Sequence, residues 1–445
     1  MNHPDKGWRR ERETPSLQES YQTVPILSKW PSWRKWLAFS GPGYLVAVGY
    51  MDPGNWATDL AAGSRFGYSL LSIILLSNIM AIILQGLASK LGIVTGRDLA
   101  QACRDHFSRP VTLVLWILCE IAICACDLAE IIGSAIALNL LFGLPILLGV
   151  LITVLDVFII LYLQKVSFRY FEGLIVFLIL VIAASFGLEM FWSKPKLSEI
   201  LAGFMPRSEI LMNQEMLYLS IGILGATVMP HNLYLHSSIV QTRKYSQTLE
   251  GKKEAIKYAF LDSTTALIFA FFINAAILIM AAAAFHFKGH TEVAEIGDAY
   301  QLLTPLLNAP MASTFFALAL LAAGQNSTLT GTLAGQIVME GFLNIRLRAW
   351  LRRLITRSVA IIPAVICIVW YGEKSLSKLL IFSQVVLSFQ LGFAVVPLVL
   401  FTGDRKKMGS FANRFLMTIL AGLAAFLIIF LNVKFMVDYL GGLLS

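Results

Sequence analysis

Gly49-Tyr50-Met51-Asp52-Pro53-Gly54-Asn55 and Gly225-Ala226-Thr227-Val228-Met229-Pro230-His231-Asn232 each interrupt an apolar stretch long enough to cross a lipid bilayer. Proline has no backbone N–H, so Pro53 cannot bond the carbonyl of Gly49, and Pro230 cannot bond that of Ala226. Each motif therefore predicts a helix broken near its middle, with a carbonyl left over. In hydrocarbon such a carbonyl is tolerated only where protein, water or a ligand satisfies it.

The rest of the 445-residue chain supplies the setting. Hydrophobic side chains make up 57% and charged ones 14%, with a mean hydropathy of +0.72, whereas soluble proteins carry about 25% charge. This excludes a soluble enzyme, a disordered chain and a secreted disulfide scaffold. The net charge of +8 does not point to nucleic acid, because the basic residues lie between apolar stretches rather than in one patch. Cys103, Cys119, Cys124, Cys126 and Cys367 are odd in number and mostly within apolar segments, so they read as small core residues.

The fold class is all-α and polytopic. Eleven transmembrane helices are expected near 37–62, 68–92, 110–140, 144–163, 168–192, 216–240, 256–287, 310–341, 352–371, 376–402 and 411–441. Residues 1–35 are polar, contain four prolines and lack a signal-peptide core, so they read as a flexible cytoplasmic tail before a single membrane domain over 36–441. Most of the 35 Lys and Arg residues fall in loops that this count puts on one side, which places the N-terminus inside and the C-terminus outside. The broken helices are the first and sixth, matching positions in two successive sets of five, about 37–192 and 216–402, with an extra helix at 411–441. Five being odd, the second set starts from the opposite face, an inverted repeat. Paired broken helices of this kind mark a transporter site at the repeat interface.

Both freed carbonyls lie at the C-terminal end of a half-helix, where the macrodipole is negative, so the arrangement suits a cation. Asp52 adds a carboxylate, costly in a membrane and usually functional there. Asn55 adds a neutral oxygen, and Met229 a thioether that Ca²⁺ and Mg²⁺ do not favour but Mn²⁺ and Fe²⁺ tolerate. Asp52, Asn55, Met229 and the carbonyls of Gly49 and Ala226 read as a divalent transition-metal site. A capped kink and a core-filling methionine are the structural alternatives.

Glu120, Asp127 and Glu130 line roughly one face of the third helix and read as a proton relay, with Arg352 and Arg353 as counter-ions; salt bridges that only fix helix packing are the alternative. His231, beside the second break, has a side chain that can titrate near neutral pH. His236 is either a further proton group or a packed, hydrogen-bonded helix residue. The two histidines are five apart and lack the glutamate of a zinc-protease helix, so an enzyme is not expected. Asp156, Glu189, Asp262, Asn274 and Glu340 read as polar fasteners between helices.

Asp52-Pro53-Gly54-Asn55 and Met229-Pro230-His231-Asn232, the latter followed by Leu233-Tyr234-Leu235-His236-Ser237, resemble the paired signatures of the Nramp family of metal-ion transporters. Asp127-Leu128-Ala129-Glu130, Gly324-Gln325-Asn326-Ser327-Thr328 and Ser383-Gln384-Val385-Val386-Leu387-Ser388 extend the resemblance over nearly the whole chain. It implies a LeuT-like fold and proton-linked import of Mn²⁺ or Fe²⁺, with the metal as substrate and no cofactor. It also implies that Asp52, Asn55, Met229 and the Ala226 carbonyl hold the metal, joined in some conformations by the Gly49 carbonyl and Gln384. A bacterial plasma-membrane protein with no obligate protein partner and no nucleic acid is expected. A Na⁺-coupled amino-acid symporter on the same architecture and a metal-gated channel are the rival readings. Asp52 argues against the first, because it would repel a substrate carboxylate.

Overall fold

The computed structural model describes residues 7–12, 14–27, 29–153, 168–293, 295–372 and 375–444. Short helix α1 (Ser32–Phe39) leads to α2 (Pro42–Gly49) and α3 (Pro53–Phe66), the two halves of the first span. Proline at a first helical turn forfeits no hydrogen bond, so Pro42 and Pro53 each start a helix rather than kink one. The N-terminus of α2 is closed by Asp262, whose carboxylate accepts from the amides of Gly41 at 3.3 Å and Gly43 at 2.7 Å.

Then follow α4 (Leu71–Thr95), short α5 (Leu99–His106) and α6 (Arg109–Phe142). Of the fourth expected span only α7 (Ile146–Ile152) is described; Asp156 lies outside the described residues. The fifth is α8 (Phe168–Ser193), and the sixth is again split, into α9 (Gln214–Val228) and α10 (Pro230–Ile239). The remaining spans are α11 (Leu249–Ala284), α13 (Ala312–Leu343), α14 (Ala349–Tyr371), α15 (Leu376–Gly403) and α16 (Phe415–Leu444). Between α11 and α13 lies α12 (Ile296–Leu307), a helix outside the expected spans.

Seven helical stretches among the described residues are long and apolar enough to cross a membrane, and the chain is a multi-pass membrane protein. Of the other expected spans, the first is divided into α2 and α3 by the break, and α13 carries Gln325-Asn326-Ser327-Thr328 in its middle. Large apolar side chains such as Phe426 and Val433 stay exposed, as a surface solvated by lipid requires.

Two groups of helices pack around the breaks. α11 packs on α2, α3 and α4, while α6 packs most extensively on α13, and α13 in turn on α8. α15 touches both groups, lying against α9 and α6. The approach of α6 to the first break depends on Gly133, since a Cβ there would collide with the ring of Pro53.

The segment before α1 departs from its expected looseness. Trp8 lies between the Arg97 guanidinium, 4.8 Å from its ring, and Phe401 at 5.5 Å. Ser16 donates to Asp98 at 2.7 Å, and the Leu17 amide to Glu340 at 3.2 Å. Val24–Pro25 (β1) pairs in parallel with Arg243–Lys244 (β2), just after α10. The segment is too polar to build a core of its own, but its backbone and hydroxyl groups find partners on the loops it crosses.

Gly133→Val is expected to overpack the contact with Pro53, costing about 1–3 kcal/mol. Thermal unfolding in detergent should show a lowered midpoint; an unchanged midpoint would mean that α6 does not press on the break.

Candidate functional site

The two breaks face each other, and one side chain joins them. The Asn55 amide nitrogen lies 2.8 Å from Asp52 Oδ1, 3.1 Å from the Ala226 carbonyl and 3.3 Å from the Gly49 carbonyl. The two carbonyls freed by Pro53 and Pro230 thus converge with a carboxylate on a single atom. An amide NH₂ carries two hydrogens. Three oxygens around it are more than it can satisfy, so the cage has acceptor capacity to spare for a cation.

Local structure sets this geometry. Asp52 is the N-cap of α3, and its Oδ1 also accepts from the Asn55 backbone amide at 2.8 Å. Its Oδ2 makes no hydrogen bond within the described residues, although the Gln384 side chain of α15 lies close by. A Cβ on Gly54 would collide with that same Gln384 side chain, so glycine at the break admits α15 to the site. Asp52, Asn55, Ala226, Met229 and Gln384 are all buried.

Met229 sits at the second break with φ of 26°, a backbone region that costs a non-glycine residue on the order of 1–3 kcal/mol. Its side chain is wholly buried. A Cβ on Gly49 would lie 3.0 Å from the sulfur, and Asn232 Nδ2 approaches it at 3.6 Å. Met229 also packs with Ala122 and Cys126 of α6 and Leu387 of α15, so it fills core space as well. Among the described residues no three His, Cys, Asp or Glu side chains gather as a metal cluster. The donor set here is instead one carboxylate, amides, carbonyls and a thioether.

Asn274 of α11 donates to the Tyr50 carbonyl at 2.8 Å and lies 3.4 Å from Asn55 Oδ1. Read from sequence as a helix fastener, it instead buttresses the site. A second unforeseen chain runs from His236 Nδ1 to Gln85 Oε1 at 3.1 Å, and from Gln85 Nε2 to the Tyr50 hydroxyl at 2.9 Å. His236 is therefore a packed, hydrogen-bonded residue tied to the first break from behind. The signal for Gln85 in the sequence is a polar amide, seven residues after Asn78, within the mostly apolar α4.

The carboxylates of α6 separate into two environments. Glu120 is partly exposed and pairs with Arg352 Nη2 through both oxygens, at 3.0 and 3.1 Å. Asp127 and Glu130 are wholly buried. Glu130 accepts from Ser327 of α13 at 2.9 Å, and its Oε2 lies 3.8 Å from Arg357 Nη2. Arg357 is itself buried and bonds the Thr153 carbonyl and the Thr328 hydroxyl. Arg352 thus matches its expected place, the Arg353 side chain lies outside the described residues, and Arg357 was assigned no role from sequence. Its signal was position, one turn deeper than Arg352 and Arg353 in the apolar part of α14. Asp127 is close enough to His231, and Glu130 to Asp52, for each pair to act on one another electrostatically, so the two polar systems adjoin.

A family model for natural resistance-associated macrophage protein-like chains matches residues 43–438. The chain is 60% identical over 428 residues to a divalent metal cation transporter MntH of Listeria welshimeri, covering 96% of each. It is 59% identical over 437 residues to the protein of that name from Bradyrhizobium diazoefficiens, covering 98% of this chain and 97% of the relative. The solved Eremococcus coleocola manganese transporter, in complex with an aromatic bis-isothiourea substituted compound, superposes with a TM-score of 0.87 at 42% identity, covering 94% of this chain and 90% of that one. Mhp1, a nucleobase-cation-symport-1 family transporter in a closed conformation, superposes at 0.59 with 16% identity over 95% of this chain and 96% of its own, a likeness of fold alone.

Arg357→Met should leave Glu130 as a buried, uncompensated carboxylate, at a cost of about 3–5 kcal/mol. Glu130→Gln in the same chain should recover most of the loss. Thermal unfolding of the two single variants and the double variant in detergent measures the coupling; strictly additive effects would contradict it.

Proposed function

The chain belongs to the Nramp family, and from that premise we propose that it imports divalent transition-metal ions, Mn²⁺ or Fe²⁺ by preference, by proton-coupled alternating access. The observation that carries this reading is the meeting of both freed carbonyls, Asp52 and Asn55 at one point, with the Met229 sulfur beside it. The relatives' names, divalent metal cation transporter and manganese transporter, support the same cargo.

In this account Asp52 supplies the charge that draws the ion from outside. A half-turn of the Asn55 amide exchanges its nitrogen for its oxygen and offers a further ligand. The carbonyls of Ala226 and Gly49, and Gln384, complete the shell as the half-helices shift. The thioether disfavours Ca²⁺ and Mg²⁺, which take oxygen ligands, and so sets selectivity. An inward-negative potential drives the ion in with about 2.3 kcal/mol per charge per 100 mV.

Binding a dication beside a carboxylate favours its ionised form, so metal arrival and proton release at Asp52 are linked. The proton leaves by way of Asp127 and Glu130, with His231 beside the path and Arg357 and Arg352 holding the charges in place. The orientation is N-terminus in and C-terminus out, in a bacterial plasma membrane, as the Lys and Arg distribution supports. No step of this cycle makes or breaks a covalent bond in an organic substrate, so the protein acts as a carrier rather than an enzyme.

Reconstituted in liposomes, the protein should take up Mn²⁺ concentratively and acidify the lumen. Asp52→Asn should reduce uptake by on the order of tenfold or more. Met229→Ala should keep Mn²⁺ transport at lower affinity while admitting Ca²⁺. Normal Mn²⁺ rates in the first variant would remove Asp52 as a ligand, and unchanged selectivity in the second would remove the role of the sulfur.

A further inference from the structure

Short helix α1 takes part in neither the metal site nor the line of carboxylates, yet it is built on two unlike faces. One face is packed into the bundle. Lys35, Ala38 and Phe39 are buried, with Lys35 Nζ 2.7 Å from Glu254 and the Phe39 ring stacked on that of Tyr258 at 5.7 Å. The other face presents Trp33 and Leu37, 59% and 49% exposed. Four residues apart, they lie side by side on the helix. Arg34 stands next to them, its guanidinium 5.2 Å from the centre of the Trp33 ring. Large apolar side chains left together at a surface mark a place of contact.

Two observations fix the depth of this face. The first is the composition of α11. Glu250, Lys252, Lys253, Glu254 and Lys257 occupy its opening turns, and from Tyr258 to Ala284 the one charged residue is Asp262. Glu254 and Tyr258, on which α1 packs, straddle that change. Just beyond them Phe260 and Leu261 are exposed, as lipid-facing side chains are. The helix therefore lies where the charged end of the bundle gives way to its apolar flank.

The second is the chain itself. Only Ser40 and Gly41 separate α1 from α2, the first half of the first span, so α1 stays at the membrane boundary. The junction is held firmly. Arg243 donates to the carbonyls of Ala38 at 3.1 Å and Ser40 at 2.8 Å, and Asp262 accepts from the amides of Gly41 and Gly43.

We propose that α1 is an interfacial anchor whose Trp33 and Leu37 insert between the headgroups and acyl chains of the leaflet on the N-terminal side of the membrane. The partner is the phospholipid bilayer itself. Tryptophan suits that boundary because its ring is apolar and its N–H polar. A helix with an apolar face flanked by a cation lies in the plane of the interface. Arg34 keeps its charge at headgroup level with its stem beside the inserted ring. Because α2 starts just after α1 and ends at Gly49, the anchor fixes the membrane-surface end of the half-helix that delivers one of the two freed carbonyls. This placement depends on the chain's being a multi-pass membrane protein and not on which ion it carries.

The test is tryptophan fluorescence of the full-length protein reconstituted in phosphatidylcholine bilayers. The chain has nine tryptophans, so the Trp33 signal is taken as the difference between the unmodified protein and Trp33→Phe, a change at an exposed side chain. That signal should be quenched by phosphatidylcholine brominated near the top of the acyl chain and shielded from iodide in the water. Trp33→Phe/Leu37→Trp, which returns an indole to the same face one turn on, should recover the lipid-quenched component. Quenching of Trp33 by iodide and not by brominated lipid would place the face in water and overturn the proposal. Quenching by neither would mean that protein, such as a second copy of the chain, covers the face, and would overturn it equally.

Discussion

An unbonded backbone carbonyl cannot rest in hydrocarbon, and this chain makes two of them in the middle of its bundle. Pro53 and Pro230 release the carbonyls of Gly49 and Ala226, and the surrounding structure is organised to receive them. Asn55 reaches both. Asn274 holds the next carbonyl, that of Tyr50, so that the end of α2 keeps its direction after the ladder stops. Gly133 and Gly54 remove the side chains that would hold α6 and α15 away from the break. Backbone strain at Met229 is the remaining cost.

The same low dielectric governs the charges. Asp52 is buried with one oxygen satisfied by Asn55 and the other beside Gln384. Glu130 is buried but compensated by Ser327 and by Arg357, which is equally buried. Which protonation state a buried carboxylate favours follows from its partners, so neighbouring carboxylates with unequal partners hold a proton unequally. Glu120 pairs with Arg352 at the partly exposed end and Glu130 with Arg357 deeper, while Asp52 sits at the break, so the three carboxylates have unequal partners.

Hydropathy and proline placement carried most of the architecture. Most expected spans hold a described helix because lipid imposes a length and an apolar composition that a sequence shows directly, while α5 and α12 lie outside them. The breaks were legible for the same reason, since a missing N–H is a covalent fact. Partners that depend on which faces meet were not. Arg357 sits among apolar residues of α14 and resembles a loop cation until α6 is seen to present Glu130 to it. Gln85 and Asn274 are polar residues within mostly apolar stretches of helix, and in sequence a helix fastener and a site buttress look alike. The docked N-terminal segment escaped because its contacts are single hydrogen bonds to distant loops, such as Ser16 to Asp98 and Leu17 to Glu340, and these have no periodicity.

The central claim is that a divalent ion sits between the two half-helix ends. An anomalous-difference map from crystals grown with saturating Mn²⁺ tests it most directly. The account predicts one strong peak bounded by Asp52, Asn55, the Ala226 carbonyl and the Met229 sulfur. A map with no peak there, while the protein still transports Mn²⁺, would contradict it.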